Sequence, residues 1–462
     1  MNIGLINPNK ELKHPAVHIG LGYIAAYARP MHDDVHFQLL DTRIAKPKEI
    51  EDFYQIPFDF IGITASSQVF LEAVEIAHML KTKYPDTPIC LGGSHVSTVN
   101  EKAIENYPFD FAIYGEGELS FSELIDCQKG KREVSSVHGL IYKDENGNVI
   151  KNPARSIFSD INLLPFPAYD LFKLNRYPQH RITTSRGCPY DCVFCNSHSL
   201  WTHKWRKRSA VNVVEEIKLL INEYGRKTIV FNDDSFNIDL KRVEEFCDLL
   251  IEEKLNIIWS TSLRADRITP ILAQKMKQSG CYNVSIGIES ANNEVLDRMN
   301  KHTTIEKISI GIQTFRDAGI DVMGQFMIGN PGDTLETVKE SIAFAKNSKL
   351  TGVEFYTALP YQDSLLWSFV QQEGKLLTDV ESYHYHNINP RIIYETPEFT
   401  YAERLEAIEL AKANGFYDAL SKDHKSFILD IGKNSAKLMQ KIFKGRLGNS
   451  LYLWLRKIYH RI

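Results

Sequence analysis

Three cysteines on one short stretch have the spacing of metal-cluster ligands. The stretch Thr183–Cys195 reads Thr-Thr-Ser-Arg-Gly-Cys-Pro-Tyr-Asp-Cys-Val-Phe-Cys, and its cysteines are Cys188, Cys192 and Cys195. Soft thiolates at such short spacing are typical ligands of iron–sulfur clusters. The next cysteine along the chain is Cys247, so this loop offers three ligands, and one iron of a bound cluster would lack a protein ligand. An open coordination position indicates a metal site built for chemistry.

This loop resembles the signature of the radical S-adenosylmethionine enzymes, in which an aromatic residue precedes the last cysteine as Phe194 does here. The resemblance implies a [4Fe-4S] cluster whose open iron binds the amino and carboxylate groups of S-adenosylmethionine. Reductive cleavage of that molecule then yields a 5′-deoxyadenosyl radical. A zinc knuckle is the alternative, because His198 or His203 could supply a fourth ligand.

The resemblance extends to polar motifs that follow later apolar runs. In this family such motifs bind S-adenosylmethionine, and here they imply contacts from Phe194, Asp233, Arg264, Gly287, Glu289, Ser290 and Ile328. Asp233 would bind the amino group, Arg264 a carboxylate and Glu289 the ribose, while Phe194 and Ile328 would pack on adenine. Two alternatives are structural: Asp233 could cap the next helix, and Arg264 could pair with Asp266 or Asp234.

Composition places the chain among globular proteins of two to four domains. It has 462 residues, of which 43% are hydrophobic and 24% charged, as in ordinary soluble domains. The formal charge of −4 gives no sign of a nucleic-acid-binding protein, so we expect no nucleic-acid partner. Seven cysteines, three of them in one loop, favour metal use in a reducing compartment. With no signal-peptide pattern and no apolar run of about 18 residues, the sequence predicts a cytoplasmic protein.

The first part of the chain alternates short apolar runs with helical patterns. Strands are predicted near residues 3–7, 37–41, 60–66, 88–92 and 109–114. Such alternation predicts an α/β domain with a Rossmann-like, doubly wound parallel sheet over residues 1–130. Ligands of these sheets bind at the carboxyl ends of the strands.

Loops at those strand ends resemble those of cobalamin-binding domains. The resemblance implies cobalamin contacts from Thr64, Ser66, Ser67, Gly92, Gly93, His95, Gly115 and Glu116. The Asp-x-His-x-x-Gly motif of many corrinoid proteins is absent after the first strand, so cobalamin would bind without its usual lower histidine. His14 and His18 could substitute for that ligand. The alternative is a plain doubly wound domain, because such loops are rich in Gly and Ser whatever they bind.

A second series of strands and helices follows a linker predicted over residues 131–178. Six strands are predicted near residues 181–185, 228–233, 257–262, 282–288, 322–328 and 352–359. Six such units predict a partial (β/α)6 TIM-like barrel over residues 179–395, with its chemistry at the carboxyl-terminal mouth. Tyr356, Tyr361 and Trp367 could line a substrate pocket there or pack in the core.

The remaining residues, 396–462, predict a helical extension with a basic amphipathic tail. From Lys433 onward there are eight Lys or Arg and no Asp or Glu. Such a helix could lie on an anionic membrane surface or dock its apolar face on the barrel. The first case would place the protein peripherally at a membrane.

These resemblances together predict a cobalamin-dependent radical S-adenosylmethionine methyltransferase. The expected reaction methylates an unactivated carbon of a small-molecule or lipid-like substrate, with electrons from a donor such as flavodoxin or ferredoxin. Two alternatives remain: a radical enzyme that cyclises or rearranges its substrate without methyl transfer, and a non-catalytic corrinoid or iron–sulfur binding protein.

Overall fold

Two parallel sheets organise the chain in the computed structural model, which describes residues 1–8, 16–362, 364–378 and 392–416. Both sheets belong to one unit. The first carries the loops predicted to bind cobalamin, and the second carries the cysteine loop.

The first sheet has seven strands. They are β1 (Asn2–Asn7), β2 (His36–Asp41), β3 (Phe60–Thr64), β4 (Ile89–Gly92), β5 (Phe111–Ile113), β6 (Leu140–Lys143) and β7 (Val149–Lys151). Their order is β2-β1-β3-β4-β5-β6-β7, and the first five are parallel. The helices around them are α1 (Ile19–Ala28), α2 (Pro47–Phe53), α3 (Phe70–Lys83), α4 (Ser94–Val99) and α5 (Glu118–Gln128). This order confirms the predicted doubly wound sheet. Successive strands are added in one direction from β1 to β2 and in the other direction from β3 onward, so the topological switch point lies between β1 and β3.

Burial explains why these segments become central strands. Every residue of β3 is buried, as expected for a parallel strand covered by helices on both faces. The apolar residues of α3 recur at helical spacing, so Phe70, Ala73, Val74, Ala77 and Leu80 form one buried face.

The sheet continues into the range that the sequence predicts as a linker. Strands β6 and β7 form an antiparallel hairpin that extends the sheet from β5. The turn between them includes Asn146 and Gly147, and Gly147 adopts a positive φ of 80°. The pairing of this hairpin with β5 depends on contacts about 30 residues apart in the chain, which a local pattern does not reveal.

The second sheet begins at β8 (His180–Ile182) and continues through β11 (Thr228–Phe231), β12 (Ile258–Leu263), β13 (Cys281–Glu289), β14 (Asp321–Ile328) and β15 (Gly352–Thr357). These six strands are all parallel and follow the order β15-β14-β13-β12-β11-β8, which confirms the predicted partial barrel. Two short antiparallel pairs accompany it: β9 (Ser185–Arg186) with β10 (Arg206–Lys207), and β16 (Lys375–Leu376) with β17 (Tyr394–Glu395).

Nine helices are described in this region. They are α6 (Ser197–Trp201), α7 (Ala210–Tyr224), α8 (Leu240–Glu252), α9 (Pro270–Gln278), α10 (Asn293–Arg298), α11 (Ile305–Asp317), α12 (Leu335–Asn347), α13 (Leu365–Glu373) and α14 (Tyr401–Ala413). Short 3-10 turns occur at Arg29–Met31, Ser67–Val69, Asn100–Ala103, Val134–Ser136, Ile161–Leu163, Tyr169–Leu171 and Leu174–Arg176.

Aromatic packing between the second sheet and its helices fixes the direction of the alternate side chains. Phe231, Phe236, Phe246 and Trp259 form a fully buried cluster with ring centroids 5.2 to 6.0 Å apart. Because side chains alternate along a strand, the intervening residues face the barrel interior and the mouth.

The C-terminal helix α14 (Tyr401–Ala413) lies within the range 396–462 that the sequence predicts to be helical. Thr400 begins it with a capping box that also involves Glu403. The predicted basic tail at residues 433–462 lies outside the described residues. Among the helices that the structure does describe, none has the length and apolar character needed to cross a membrane.

Candidate functional site

The three cysteines lie on a tight loop between β9 and α6. All three are free and half-buried. The Cys195 amide donates to the Cys192 carbonyl at 3.0 Å, which closes the second half of the loop. Gly187 precedes the loop with a φ of 87°, and a β-carbon there would lie 2.3 Å from the Lys204 carbonyl oxygen, so only glycine fits.

Burial and the neighbouring cations have opposite effects on the ionisation of these thiols. Burial raises the pKa of all three, that of Cys195 to about 11. Lys301 and Arg264 act in the opposite direction on Cys192. Metal coordination requires the thiolate form. The positive charge of bound iron would stabilise the thiolates that burial disfavours.

The donor set therefore fits an iron–sulfur cluster. Among the described residues, no group of three or more His, Cys, Asp or Glu side chains is arranged to hold one metal ion. The cysteine ligands of a cluster bind separate irons, so this finding concerns sites for a single ion only. Soft thiolate ligands are also those that iron–sulfur clusters require.

The two carboxylates after β11 differ sharply in surroundings. Asp233 is buried and accepts hydrogen bonds from the Thr184 amide at 2.7 Å, the Thr184 hydroxyl and the Ser185 hydroxyl at 2.8 Å. Asp234 instead accepts from Ser197 at 3.1 Å, on the helix that follows the cysteines. Burial is the main cause that raises the pKa of Asp234.

This geometry differs from the prediction for Asp233. Its oxygens are already bonded within the sheet edge, while Asp234 lies close enough to Cys188 and Cys195 to raise their pKa values. Asp233 does not cap the next helix either, because the residue that caps α8 is Asp239. The sequence could not separate adjacent aspartates, since side-chain direction depends on how β11 ends.

Arg264 forms the ion pair with Asp266 that the sequence analysis gave as its structural alternative. Its guanidinium forms a bidentate pair with Asp266 at 3.0 and 2.8 Å and donates to the Lys301 carbonyl at 2.9 Å. It also lies 4.1 Å from the ring centroid of Tyr190 on the cysteine loop. The guanidinium therefore anchors the cysteine loop, and its contact with a carboxylate of S-adenosylmethionine stays a prediction.

Glu289 ends β13 in a strained conformation directed at the mouth. Its φ is 68°, which is uncommon for a residue other than glycine and clusters at functional sites, and the pairing with β14 is irregular there. Its carboxylate accepts from Lys301 at 2.9 Å. A β-carbon on Gly287 would lie 2.3 Å from the Glu289 Oε1 atom, so Gly287 makes room for this carboxylate. Ser290 is buried beside it.

Sequence reasoning missed Lys301, which had no motif to mark it. Its side chain is enclosed between Glu289 and the ring of Phe194, whose centroid is 5.6 Å from Nζ. Coulombic interactions with Glu289 and Cys192 raise the pKa of Lys301 against the opposing effect of burial. The cysteine loop and the end of β13 therefore share a buried cation.

The loop after β14 is held by the C-terminal segment. Ile328 is buried at the end of β14, and Asp333 accepts from the Gly329 and Asn330 amides at 3.0 and 2.8 Å. Tyr394 donates to the Gly329 carbonyl. The guanidinium of Arg404 on α14 lies 4.2 Å from the Tyr394 ring centroid, so β17 and α14 fix the loop that carries the predicted adenine contact.

The predicted cobalamin loops are joined to one another at the ends of β3, β4 and β5. Ser67 is 3.0 Å from the His95 ring, and the Gly115 amide donates to Ser97 at 2.9 Å. Thr64 is 3.3 Å from the Nε2 atom of His18, whereas His14 lies outside the described residues.

These loops leave space for a large ligand. A β-carbon placed on Gly92 or Gly115 would meet no heavy atom within 4 Å, so the backbone at these strand ends is open to approach. Gly93 has a φ of 98°, and a β-carbon there would lie 2.4 Å from the Ala65 carbonyl oxygen, while Ser66 is half-buried beside it. This cradle fits a flat, bulky group such as cobalamin.

Glu116 has a further role that the sequence did not reveal. Its side chain is buried and pairs with Arg186 at 2.6 Å and with Arg206 at 3.0 Å. Glu118 pairs with the other guanidinium nitrogen of Arg186 at 2.6 Å. Arg186 lies two residues before Cys188, so this buried ion-pair cluster joins the first sheet directly to the cysteine loop. Helices α4 and α6 also lie in contact.

Comparison with known proteins assigns a family to each of the two sheet-containing regions. The pattern of the radical SAM superfamily matches residues 182–345, and that of the B12 binding domain matches residues 9–125. An uncharacterized methyltransferase of Pyrococcus horikoshii is 32% identical over 439 residues, 93% of each chain. The anaerobic magnesium-protoporphyrin IX monomethyl ester cyclase of Rubrivivax gelatinosus is 26% identical over 74% of this chain and 64% of its own.

A solved structure shares the fold. The radical S-adenosylmethionine methyltransferase TsrM from Kitasatospora setae, with cobalamin and a [4Fe-4S] cluster bound, superposes with a TM-score of 0.70. The match covers 82% of this chain and 81% of that one at 18% identity. With a relative at 32% identity along nearly its whole length and both domain patterns in the same order, this chain belongs to the cobalamin-binding radical S-adenosylmethionine enzyme family.

Proposed function

We propose that the protein is a cobalamin-dependent radical S-adenosylmethionine methyltransferase that methylates an unactivated carbon of a small-molecule or lipid-like substrate. The observation that carries the proposal is the buried Glu116–Arg186 ion pair at 2.6 Å. It ties a loop predicted to bind cobalamin to the loop predicted to hold the cluster, so the two cofactor sites adjoin.

Cys188, Cys192 and Cys195 would hold the cluster, with Lys301 and Arg264 offsetting the negative charge of the thiolates. When bound, the cluster supplies the electron that cleaves S-adenosylmethionine, and cobalamin carries the methyl group. The enzyme's own residues bind, orient and shield these groups.

Four positions at the barrel mouth would orient S-adenosylmethionine. Asp234, which is exposed beside the cysteine loop and accepts from Ser197, is suited to the amino group in place of Asp233. Glu289 can accept from ribose hydroxyls while Lys301 keeps its carboxylate ionised. Phe194 and Ile328 offer apolar surface for adenine. The Tyr394 bond to Gly329 keeps the β14 loop from moving away.

Thr64, Ser66, Ser67, Gly92, Gly93, His95 and Gly115 would surround cobalamin at the ends of β3, β4 and β5. For Glu116 the proposal is limited to its backbone, since its carboxylate is occupied by Arg186 and Arg206. His18 immediately precedes α1 and lies beside Thr64 at the end of β3, and burial lowers its pKa, so its ring would be neutral toward the cofactor.

The partners follow from the same proposal. A reductant such as flavodoxin or ferredoxin would deliver the electron in the cytoplasm. The basic residues between 433 and 462 would bring the protein to an anionic membrane surface if its substrate is lipid-like.

To test the proposal, the anaerobically reconstituted protein is incubated with a chemical reductant and with S-adenosylmethionine that carries a deuterated methyl group. The fate of that methyl group is then traced. We expect S-adenosylhomocysteine and deuterium-labelled cobalamin, detected by mass spectrometry, together with 5′-deoxyadenosine. Deoxyadenosine without S-adenosylhomocysteine would instead support a radical enzyme that transfers no methyl. If neither product forms, the protein is a binding protein and the proposal is wrong.

A further inference from the structure

A polar cluster inside the barrel is formed by residues that the proposed cofactor sites do not use. Gln325 lies on β14, and Glu354 and Tyr356 lie on β15. Phe326 and Phe355, the residues that alternate with them, are buried against the helices and stack with ring centroids 4.8 Å apart. Because side chains alternate across a sheet, the three polar side chains face the barrel interior.

The cluster is close to the end of β13 that is proposed to bind S-adenosylmethionine. Strand register pairs Gln325 with Gly287 on one side and with Glu354 on the other. Burial is the largest cause that raises the pKa of Tyr356, and the negative charges of Glu354 and Glu289 add to it. A ligand bound by the cluster would therefore lie next to Glu289.

The hydrogen bonds within the cluster leave acceptors exposed. Tyr356 donates to the Oε2 atom of Glu354 at 2.5 Å. The Gln325 amide nitrogen is 3.4 Å from that Oε2 atom and 3.3 Å from the Tyr356 oxygen. The Tyr356 hydroxyl and the Gln325 amide nitrogen thus both donate to the Oε2 atom of Glu354. The Glu354 Oε1 atom and the Gln325 carbonyl oxygen remain as acceptors.

The cluster also carries a negative charge that lacks a counter-ion. Among the described parts of the chain, Glu354 forms no ion pair, in contrast to Glu289 with Lys301 and Asp266 with Arg264. A partly buried carboxylate without a cation favours a positively charged ligand. The remaining acceptors also favour a protonated amine, because an ammonium group offers hydrogen-bond donors.

We infer that Glu354, Tyr356 and Gln325 form a substrate subsite that binds a protonated amine. This inference rests on the proposed function, because it places the amine end of the substrate below the S-adenosylmethionine site. Glu354 supplies the charge, Tyr356 fixes its carboxylate, and Gln325 offers a second acceptor. A substrate carrying a carboxylate at this end would be repelled.

The experiment measures binding of three probes of nearly equal size to the reconstituted, oxidised holoenzyme with S-adenosylmethionine present. The probes are n-butylammonium, n-butanol and n-butyrate, and their binding is followed by saturation-transfer NMR. We expect saturable binding of n-butylammonium, with both other probes at least about tenfold weaker because a charged hydrogen-bonded pair is lost.

Three variants locate that binding. Glu354→Gln keeps the size of the side chain and removes its charge, so n-butylammonium should bind about tenfold more weakly. Tyr356→Phe should weaken it about threefold, because the carboxylate remains but is less well fixed. The control Glu336→Gln removes a carboxylate that is exposed on α12, and it should bind the probe as the unaltered protein does. Equal thermal unfolding midpoints establish that the variants fold.

Two results would overturn the inference. One is equal binding of n-butylammonium by the unaltered protein and Glu354→Gln. The other is binding of n-butanol or n-butyrate as tight as that of n-butylammonium. Formation of 5′-deoxyadenosine and S-adenosylhomocysteine by the unaltered protein, measured without any probe, tests the proposed function separately. If both form while the probe results fail, the subsite alone is wrong.

Discussion

At the scale of single residues, adjacent positions in this site have different tasks. Asp233 is bonded to the Thr184 amide and hydroxyl and to Ser185 within the sheet, whereas Asp234 is near the cysteines. We propose that Asp233 contributes to folding and that Asp234 contributes to binding S-adenosylmethionine. A matched pair of substitutions can separate these roles.

Asp234→Asn should weaken S-adenosylmethionine binding to the reconstituted protein about tenfold, because a charged contact with the amino group becomes neutral. Asp233→Asn should leave the dissociation constant nearly unchanged and lower the free energy of unfolding by about 1–3 kcal/mol, because it weakens buried hydrogen bonds. Equilibrium dialysis and urea denaturation measure the two quantities. If Asp233→Asn weakened binding at unchanged stability, the sequence-based assignment would be restored.

Asp333 gives the site a pH-dependent stability. Burial raises its pKa to about 6 despite the hydrogen bonds and Arg404 that oppose the shift, compared with about 4 for an ordinary Asp. The folded protein thus keeps a proton that the unfolded chain has lost between these values. The contribution favours folding below about pH 4 and is lost as the pH rises through about 6.

Asp333→Asn stays neutral throughout, so it removes this dependence. Between about pH 5 and about pH 7.5, we expect the unaltered protein to lose about 1.5 kcal/mol of unfolding free energy relative to the variant. Urea denaturation of both proteins at the two pH values measures the difference. A difference that is constant with pH would show that Asp333 ionises as an ordinary aspartate does.

Spacing along the chain made some site residues predictable and left others hidden. The three cysteines lie within eight residues of each other, so sequence alone places them on one loop. Glu116 and Arg186 are 70 residues apart, and their pairing depends on how two sheets pack. Lys301 was missed for the same reason, because no local motif marks a lysine that meets Glu289 and Phe194 only after folding.

At the scale of secondary-structure elements, the ion pairs between the first sheet and the cysteine loop matter most. Arg186 is bonded to Glu116 and Glu118 at 2.6 Å each, and all three side chains are buried. Breaking a buried pair leaves an uncompensated charge, whereas an exposed pair contributes little. This contrast can be measured by removing one buried and one exposed ion pair of this chain.

Arg186→Met should lower the free energy of unfolding by about 3–5 kcal/mol, because Glu118 would be left buried without its cation. The control Arg29→Met removes the exposed bidentate pair with Asp170 and should cost less than about 1 kcal/mol. Thermal and urea unfolding compare the two. Equal losses would mean that the Arg186 cluster does not hold the domains together.

Element types followed from periodicity more reliably than element pairing did. The apolar runs of β3 and β14 are local patterns, so the predicted ranges 60–66 and 322–328 agree with the observed strands within a few residues. The place of β6 and β7 on the edge of the first sheet was not predicted, because residues 131–178 were expected to form a linker. Pairing between distant segments depends on long-range packing that a local pattern does not contain.

At the scale of the whole molecule, two parallel sheets each present the carboxyl ends of their strands. The first sheet turns Gly92 and Gly115 toward open space, and the second places the cysteine loop and Glu289 at the barrel mouth. Ion pairs and the contact of α4 with α6 join these regions. A reaction that passes a group between two cofactors requires such an arrangement.

The most direct test of this account is the formation of 5′-deoxyadenosine from S-adenosylmethionine by the reduced, reconstituted protein. The account predicts that the unaltered protein forms it and that Cys192→Ala forms none, because the cluster would lose one of its three protein ligands. Deoxyadenosine formation by Cys192→Ala at the rate of the unaltered protein would contradict the account, as would its absence from unaltered protein with a full complement of iron and sulfide.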